Sequence, residues 1–347
     1  MSPYQLRITS KTLHFKSPAG TSRGVYTSRL SFFVTLSSKE HPEVKGVGEC
    51  ATLPDLSCDA LPTEKYERKL REFCDGVERT GTIDSEAMRP YPSMLFGLET
   101  AMAQFDAGGK PDFFSTPFGC GEEGIPINGL VWMGTYDEMS ARLEEKIRQG
   151  FRCVKLKIGA IAFTKEMELI RHIRSLFPRE RMELRVDANG GFSPAEVMDR
   201  LETLAKYDIH SIEQPIKQRQ WKDMARLCAD APIDIALDEE LIGVNERQKK
   251  IELLETLRPR YIVLKPSLHG GMAGTREWIE LARERNIGSW ITSALESNIG
   301  LNAIAQLTAR IYGPNIRMSQ GLGTGQLFTD NIPMPLTIVG DRLMMNY

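Results

Sequence analysis

Five short apolar stretches of this chain each run into residues that can do chemistry. They read Val154-Lys155-Leu156-Lys157-Ile158, Leu184-Arg185-Val186-Asp187-Ala188-Asn189, Ser211-Ile212-Glu213-Gln214-Pro215, Ile235-Ala236-Leu237-Asp238-Glu239 and Ile262-Val263-Leu264-Lys265-Pro266. The acids Asp187, Glu213 and Asp238 recur about every 25 residues, one repeating unit apart. Three carboxylates brought together repel unless a cation lies among them. A hard divalent ion with oxygen ligands answers that need, and Mg²⁺ is the usual one. A structural alternative, each acid forming an ion pair or capping a helix, accounts for one such residue more easily than for three in successive units.

The lysines complete the set. Lys155 and Lys157 lie two apart on an apolar stretch, so as a strand they share a face. Mutual repulsion between two such ammonium groups, and a nearby metal, is expected to lower a lysine pKa and make one of them a neutral base. The plainer alternative is that they only neutralise the acids. Together the five ends suggest removal of a proton α to a carboxylate. That proton is weakly acidic, and its loss leaves an enediolate whose charge a metal and a cation can stabilise.

Such residues converge only if their elements do. From about residue 125, apolar strands begin near Ile125, Cys153, Glu183, Ser211, Asp234, Tyr261 and Ile287. Amphipathic helices separate them near 137–149, 164–176, 194–206, 219–229, 245–256, 272–285 and 298–311. Strand and helix in regular alternation predict a parallel barrel, whose strand carboxyl ends meet on one face. Ser193-Pro194 is expected to open a helix and Gly150 to close one. Lys265 then faces Lys157 from four strands away. At the seventh strand end Ser293 is a candidate contact for a substrate carboxylate, and the glycines of Gly321-Leu322-Gly323-Thr324-Gly325 offer N–H groups to an anion. His269 is expected to be structural.

The first third has another texture. Residues 1 to about 36 alternate polar and apolar, as antiparallel strands do. Ser17–Gly24 and the stretch from Gly46 to Asp59 read as two mobile loops, with helices near 63–75 and 93–106 following. The expected division is an α+β capping domain over 1–122, joined by a C-terminal return over 326–347, and a barrel over 123–325. The 347 residues suit a barrel with a smaller partner domain. A formal net charge of −2 favours neither nucleic acid nor an anionic membrane as partner. The opening residues lack the apolar core of an export signal, and the six cysteines form no Cys-x-x-Cys pair. Reduced thiols in a cytoplasmic protein are therefore expected.

Lys-x-Lys, Asp-x-Asn, Glu-x-Pro, Asp-Glu and Lys on five successive strands resemble the enolase superfamily, and within it the muconate-lactonising-enzyme subgroup. The resemblance spans nearly the whole chain. It implies a modified (β/α)7β TIM-like barrel under an α+β cap, with one Mg²⁺ held by Asp187, Glu213 and Asp238. It implies Lys157 as the base and Lys265 as the catalytic lysine opposite. Lys155, Asn189 and Ser293 are then substrate contacts, and Asn189 and Glu239 also orient the ligands beside them. The usual Glu-Glu-Pro is Glu213-Gln214-Pro215 here, a departure that keeps the ligand.

Finer features narrow the resemblance: Gly48-Glu49-Cys50-Ala51-Thr52-Leu53-Pro54, Met94-Leu95-Phe96-Gly97-Leu98-Glu99-Thr100-Ala101, Ser293-Ala294-Leu295-Glu296-Ser297 and Gly321-Leu322-x-Thr324. They imply a carbon–oxygen lyase of menaquinone biosynthesis, which dehydrates 2-succinyl-6-hydroxy-2,4-cyclohexadiene-1-carboxylate, a small-molecule carboxylate. The alternative is an N-acylamino acid racemase or a dipeptide epimerase. Epimerases of the subgroup hold the substrate ammonium with an Asp-x-Asp pair after the last strand, and Gly321–Gly325 contains no acid.

Overall fold

The computed structural model describes residues 3–20, 24–159 and 161–347. The N-terminal part is a three-stranded antiparallel sheet of β1 (Tyr4–Gly20), β2 (Val25–Ser38) and β3 (Lys45–Cys50), in that order, with helices α1 (Thr63–Thr80) and α2 (Pro92–Asp106). Alternation along β2 buries Phe32, Val34 and Leu36, and these pack with Tyr66, Leu70 and Leu98 of the two helices. The first expected loop is largely strand. β1 runs on to Gly20, pairing Ala19 with Tyr26 after a register shift beyond His14; residues 21–23 lie outside the described residues. The second expected loop also begins as strand. Gly46 and Gly48 look like loop glycines, but they let β3 lie directly on α2. A Cβ on Gly48 would stand 1.7 Å from the Gly97 carbonyl oxygen, and one on Gly46 1.8 Å from that of Ala101.

The barrel follows. After β4 (Ile125–Pro126) come β5 (Gly129–Val131), α3 (Tyr136–Arg148), β6 (Cys153–Lys157), α4 (Phe163–Leu176), β7 (Glu183–Asp187), α5 (Val197–Ala205), β8 (Ser211–Glu213), α6 (Trp221–Asp230), β9 (Ile235–Leu237), α7 (Arg247–Leu257), β10 (Tyr261–Leu264), α8 (Gly271–Arg283), β11 (Gly288–Ile291) and α9 (Asn298–Tyr312). Strands β5 to β11 form one parallel sheet in chain order. Gln320 and Gly321 close it, through parallel bridges to Ile127 and Thr292. This is the parallel barrel the alternation predicted, in the (β/α)7β form the resemblance implied. Its apolar wall, including Leu156, Val186, Ile212 and Leu264, is fully buried.

Two boundaries differ from expectation. Ile125–Pro126 is not the first barrel strand, which starts at Gly129. Ile125–Pro126 instead pairs antiparallel with β13 (Arg342–Met345), itself hairpinned to β12 (Leu336–Val339). Ser193 does not cap a helix at Pro194, because α5 starts at Val197. Its main chain makes a preceding turn, with the Ser193 carbonyl accepting from Glu196 and Val197. Gly150 does follow α3, at φ +81°. Ahead of the final hairpin, the chain returns to β1, where Phe328 bridges Phe15 and the two rings lie 4.5 Å apart.

Two carboxylates of the N-terminal part reach across to the barrel. Glu99 of α2 accepts from Met272 N (2.5 Å) and Ala273 N (2.9 Å) in the first turn of α8, which has no side-chain cap of its own. Glu49 of β3 accepts from Ser297 N (2.9 Å), Ser297 Oγ (2.5 Å) and Gly300 N (3.1 Å) at the start of α9. Each satisfies N–H groups that a helix leaves open at its N-terminus.

Burial raises the Glu99 pKa to about 7, against the opposing pull of those N–H donors. A carboxyl whose folded pKa lies above its unfolded value stabilises fully only below the unfolded value. That contribution disappears as pH rises through the folded pKa. Glu99→Gln should therefore flatten the pH dependence of unfolding free energy between pH ~5 and ~8 by roughly 2 kcal/mol. Urea unfolding of both proteins across that range measures it, and identical slopes would refute it.

Candidate active site

Register in the sheet sets the site. Lys157 is the Cα partner of Asp187, and Asp187 that of Glu213, so the three stand in one row across neighbouring parallel strands, ~4.8 Å apart. Lys155, two residues back on the same face, rises between two of the acids. Its Nζ donates to Glu213 Oε2 at 2.6 Å and lies 2.8 Å from Asp187 Oδ2. Lys157 Nζ donates to Asp187 Oδ2 (2.7 Å) and to Asn189 Oδ1 (2.6 Å). From the far side, Lys265 Nζ donates to Asp238 Oδ2. Asn189 completes the rim, donating through Nδ2 to Glu239 Oε1 at 2.9 Å. The shared face predicted for the two lysines, and the approach of Lys265 from the opposite wall, are both present.

The ammonium groups change the electrostatics that the sequence suggested. Burial works against the charge of Lys155, but Asp187 and Glu213 outweigh it and hold its pKa above the ordinary lysine range. Lys265 is likewise raised, burial being overcome by Asp238 and Glu239. The expected depression by lysine–lysine repulsion does not occur at Lys155, because carboxylates are its nearest neighbours. Asp187 is held well below the usual carboxylate range. Burial opposes this, but the two lysines that share its Oδ2 prevail. Glu213 goes the other way, raised by burial and then by Asp187.

Among the described residues, no three His, Cys, Asp or Glu side chains gather closely enough to hold an ion. The three predicted ligands are instead parted by ammonium groups, which draw the carboxylates one by one in a low-dielectric interior. The donor chemistry nevertheless suits a hard divalent cation. Asp187, Glu213, Asp238 and Glu239 outnumber the three lysines facing them. The Oδ1 atom of Asp238 is buried with no hydrogen-bond partner among the described residues.

Above these groups opens a cavity of about 790 Å³. Its walls come from both parts of the chain: Leu53 and Leu56 from the cap, Leu130 in β5 and Trp132 after it, and Ala294 and Leu295 after β11. Ser293, proposed from sequence, lies in this wall and shares a 2.5 Å hydrogen bond with Thr324 Oγ1. The glycine loop is less available than expected, since Gly321 N donates to Ile291 O in closing the barrel. His269 lies behind the site, its Nδ1 accepting from Lys265 N at 2.8 Å. It is kept neutral, burial lowering its pKa to about 3.

Several residues escaped the sequence reading. Arg185 is 2% exposed and forms part of the barrel floor. It stacks 4.4 Å above the Trp290 ring and donates to Ser319 O. Its place two residues before Asp187 was the available signal, since the two share a face. Arg29, buried on β2, donates to Ala51 O (2.8 Å) and to Ala294 O, tying the cap wall of the cavity to the barrel wall. No spacing rule would have found it. Left-handed backbone at Asn189 (φ +45°), Gln214 (+40°) and Leu295 (+66°) marks three strand ends around the opening; strained positions of this kind collect at functional sites.

Comparison with known proteins agrees with this geometry. Residues 138–343 match the family model described as enolase C-terminal domain-like. A protein of Desulfotalea psychrophila named o-succinylbenzoate synthase is 46% identical, the match covering 99% of each chain. The crystal structure of MenC from the same organism superposes with a TM-score of 0.82 at 42% identity, covering 99% of this chain and 100% of that one. The L-Ala-D/L-Glu epimerase of Bacillus subtilis shares the fold, with a TM-score of 0.80 at 18% identity over 99% and 96% of the two chains. The row of strand-end acids and lysines, the closed (β/α)7β barrel and these similarities lead to one assignment: the chain belongs to the enolase superfamily.

Proposed function

We propose that this protein is an o-succinylbenzoate synthase, a lyase that dehydrates 2-succinyl-6-hydroxy-2,4-cyclohexadiene-1-carboxylate in menaquinone biosynthesis. The observation that carries the reading is the pair of lysines, Lys157 and Lys265, held on opposite sides of a buried acidic centre beneath a cavity of mixed polar and apolar lining. Similarity to a synthase over the full length supports the choice of substrate. Similarity to a biosynthetic synthase supports the cytoplasm as its location. No helix among the described residues is long and apolar enough to cross a membrane.

In this reading Asp187, Glu213 and Asp238 would hold Mg²⁺. When bound, the ion supplies the positive charge that lets the substrate carboxylate take on a second negative charge. Lys157 Nζ takes the α-proton, and Asn189 Oδ1 fixes where that nitrogen points. The electron pair released makes the third ring double bond as the bond to the β-hydroxyl breaks, which leaves the ring aromatic. The same Lys157 returns its proton to that hydroxyl, so one water departs from one face. Lys265 contributes a cation near the developing charge, backed by the neutral His269. Lys155 stays an ammonium between Asp187 and Glu213 and limits their repulsion. Ser293 and Thr324 offer hydroxyls to the substrate's polar groups, and the leucines of the cap cover the ring.

The position of Lys265 favours one second reading, an N-acylamino acid racemase, which needs proton carriers on both faces. Lys265→Arg separates the two. Arginine keeps the charge but does not transfer protons near neutral pH. A dehydratase should retain measurable dehydration in this variant. A racemase should lose racemisation while Lys157 still exchanges the α-proton of one enantiomer. The assay offers the cyclohexadiene substrate and N-succinyl amino acids to both proteins with Mg²⁺. No dehydration by the native protein, alongside efficient racemisation, would defeat the synthase reading.

A further inference from the structure

Gln214 stands where the superfamily pattern has its second glutamate, and every polar atom of its side chain is used. It is fully buried, directly after β8, on left-handed backbone at φ +40°. Its Oε1 accepts from Asp238 N at 3.3 Å and Glu240 N at 3.2 Å. Its Nε2 donates to Ile216 O at 3.0 Å and lies 3.5 Å from Glu240 Oε2. Glu240 is itself fully buried and committed as an acceptor, to Trp221 Nε1 (2.8 Å) and to Arg219 N (2.9 Å). The amide therefore meets backbone donors on one side and two acceptors on the other.

A carboxylate cannot fill that role, because it has no hydrogen to give Ile216 or Glu240. Glutamate at 214 would set acceptor against acceptor in a buried site and leave the Ile216 carbonyl without its donor, each a costly mismatch. We propose that Gln214 is a positioning residue for Asp238. Through its amide and the Glu240 carboxylate, it locks the turn after β9, so that Asp238 is presented at the correct depth to its cation. The residue at 214 and the residue at 240 form a matched donor–acceptor pair, and this pairing accounts for glutamine in the Glu-x-Pro segment of this chain. The inference deepens the metal-dependent reading above and rests on it for the identity of the cation.

The test uses the full chain and three variants: Gln214→Glu, Glu240→Gln, and the double swap Gln214→Glu/Glu240→Gln. Two readouts are taken. One is Mn²⁺ affinity, from the electron paramagnetic resonance of free ion in titrations without substrate. The other is hydrogen exchange at the Asp238 and Glu240 amides. Each single variant should weaken Mn²⁺ binding by about 10- to 100-fold, the usual effect of disturbing a residue that supports a ligand, and should speed exchange at both amides. The double swap restores one donor facing one acceptor between the two side chains, though not the donor to Ile216 O, and should recover part of both losses although it carries more changes. A merely structural role predicts additive losses and no rescue. Native affinity and native exchange in Gln214→Glu, or a double swap no better than the singles, would overturn the proposal. If Gln214→Glu does not fold, Glu240→Gln against the double swap makes the same comparison. If the native protein binds no Mn²⁺ while exchange still follows the swap, the metal-dependent reading fails and the positioning of Asp238 by Gln214 stands.

Discussion

Lys157→Ala should abolish dehydration while leaving the barrel folded. The fold survives because Asp187 keeps a second ammonium, Lys155 Nζ at 2.8 Å, so no buried carboxylate is left without a cation. Turnover does not survive, because the nearest substitutes are already engaged. Lys155 is held protonated between Asp187 and Glu213, and Lys265 lies across the opening on Asp238. A general base typically contributes ~10²–10⁴-fold. With no replacement in reach and the same residue serving proton removal and proton return, the loss should exceed that range. Dehydration rates and α-deuterium exchange in D₂O measure the effect, with thermal melts to verify folding. Persistent exchange at the α-carbon would show that Lys157 is not the base.

Removing divalent ions should stop turnover completely, and Mg²⁺ should restore it. Four acids, Asp187, Glu213, Asp238 and Glu239, face three lysines, and Asp238 Oδ1 is buried without a partner among the described residues, so an entering cation meets a free ligand atom. Asp238→Asn should weaken that binding, by at least the ~10–100-fold seen when only a supporting residue is lost, because an amide is a poor ligand for a hard ion. The same change leaves the Lys265 ammonium without its carboxylate. Calorimetric titration with Mg²⁺ separates weaker binding from slower chemistry. Full activity of the native protein in excess chelator would defeat the metal-dependent reading.

Much of this site was legible because the barrel turns sequence position into geometry. A residue at the end of each apolar strand must face the same opening, so the five motifs could be assembled before any coordinates. The seven repeating units and the opposed positions of Lys157 and Lys265 follow from the same rule. What was not legible arose from contacts between distant segments. Gly46 and Gly48 carry the composition of a loop, and only the approach of α2 shows why a strand needs them. The lysine electrostatics were misjudged at Lys155 because the sequence does not reveal which neighbour lies at 2.6 Å. Arg29 acts through main-chain carbonyl groups, and Gln214 largely through main-chain amide and carbonyl groups, which leave no trace in side-chain spacing.

The two carboxylates that cross from the cap have a consequence for modularity. Glu99 and Glu49 terminate helices α8 and α9 of the barrel, so part of the barrel's own secondary structure is completed by a different stretch of chain. A barrel of this kind does not exchange caps freely. Any graft must present one acid opposite Met272 and Ala273 and another opposite Ser297 and Gly300, in the same relative placement, or two helices begin with bare N–H groups at a buried seam. The loop carrying Leu53 leaves β3 only one residue after Glu49, so whatever fixes that acid on α9 also fixes one wall of the substrate cavity. Recombination within the superfamily is thereby confined to partners that inherit both acids together with the cap, and specificity and helix termination are inherited as a unit.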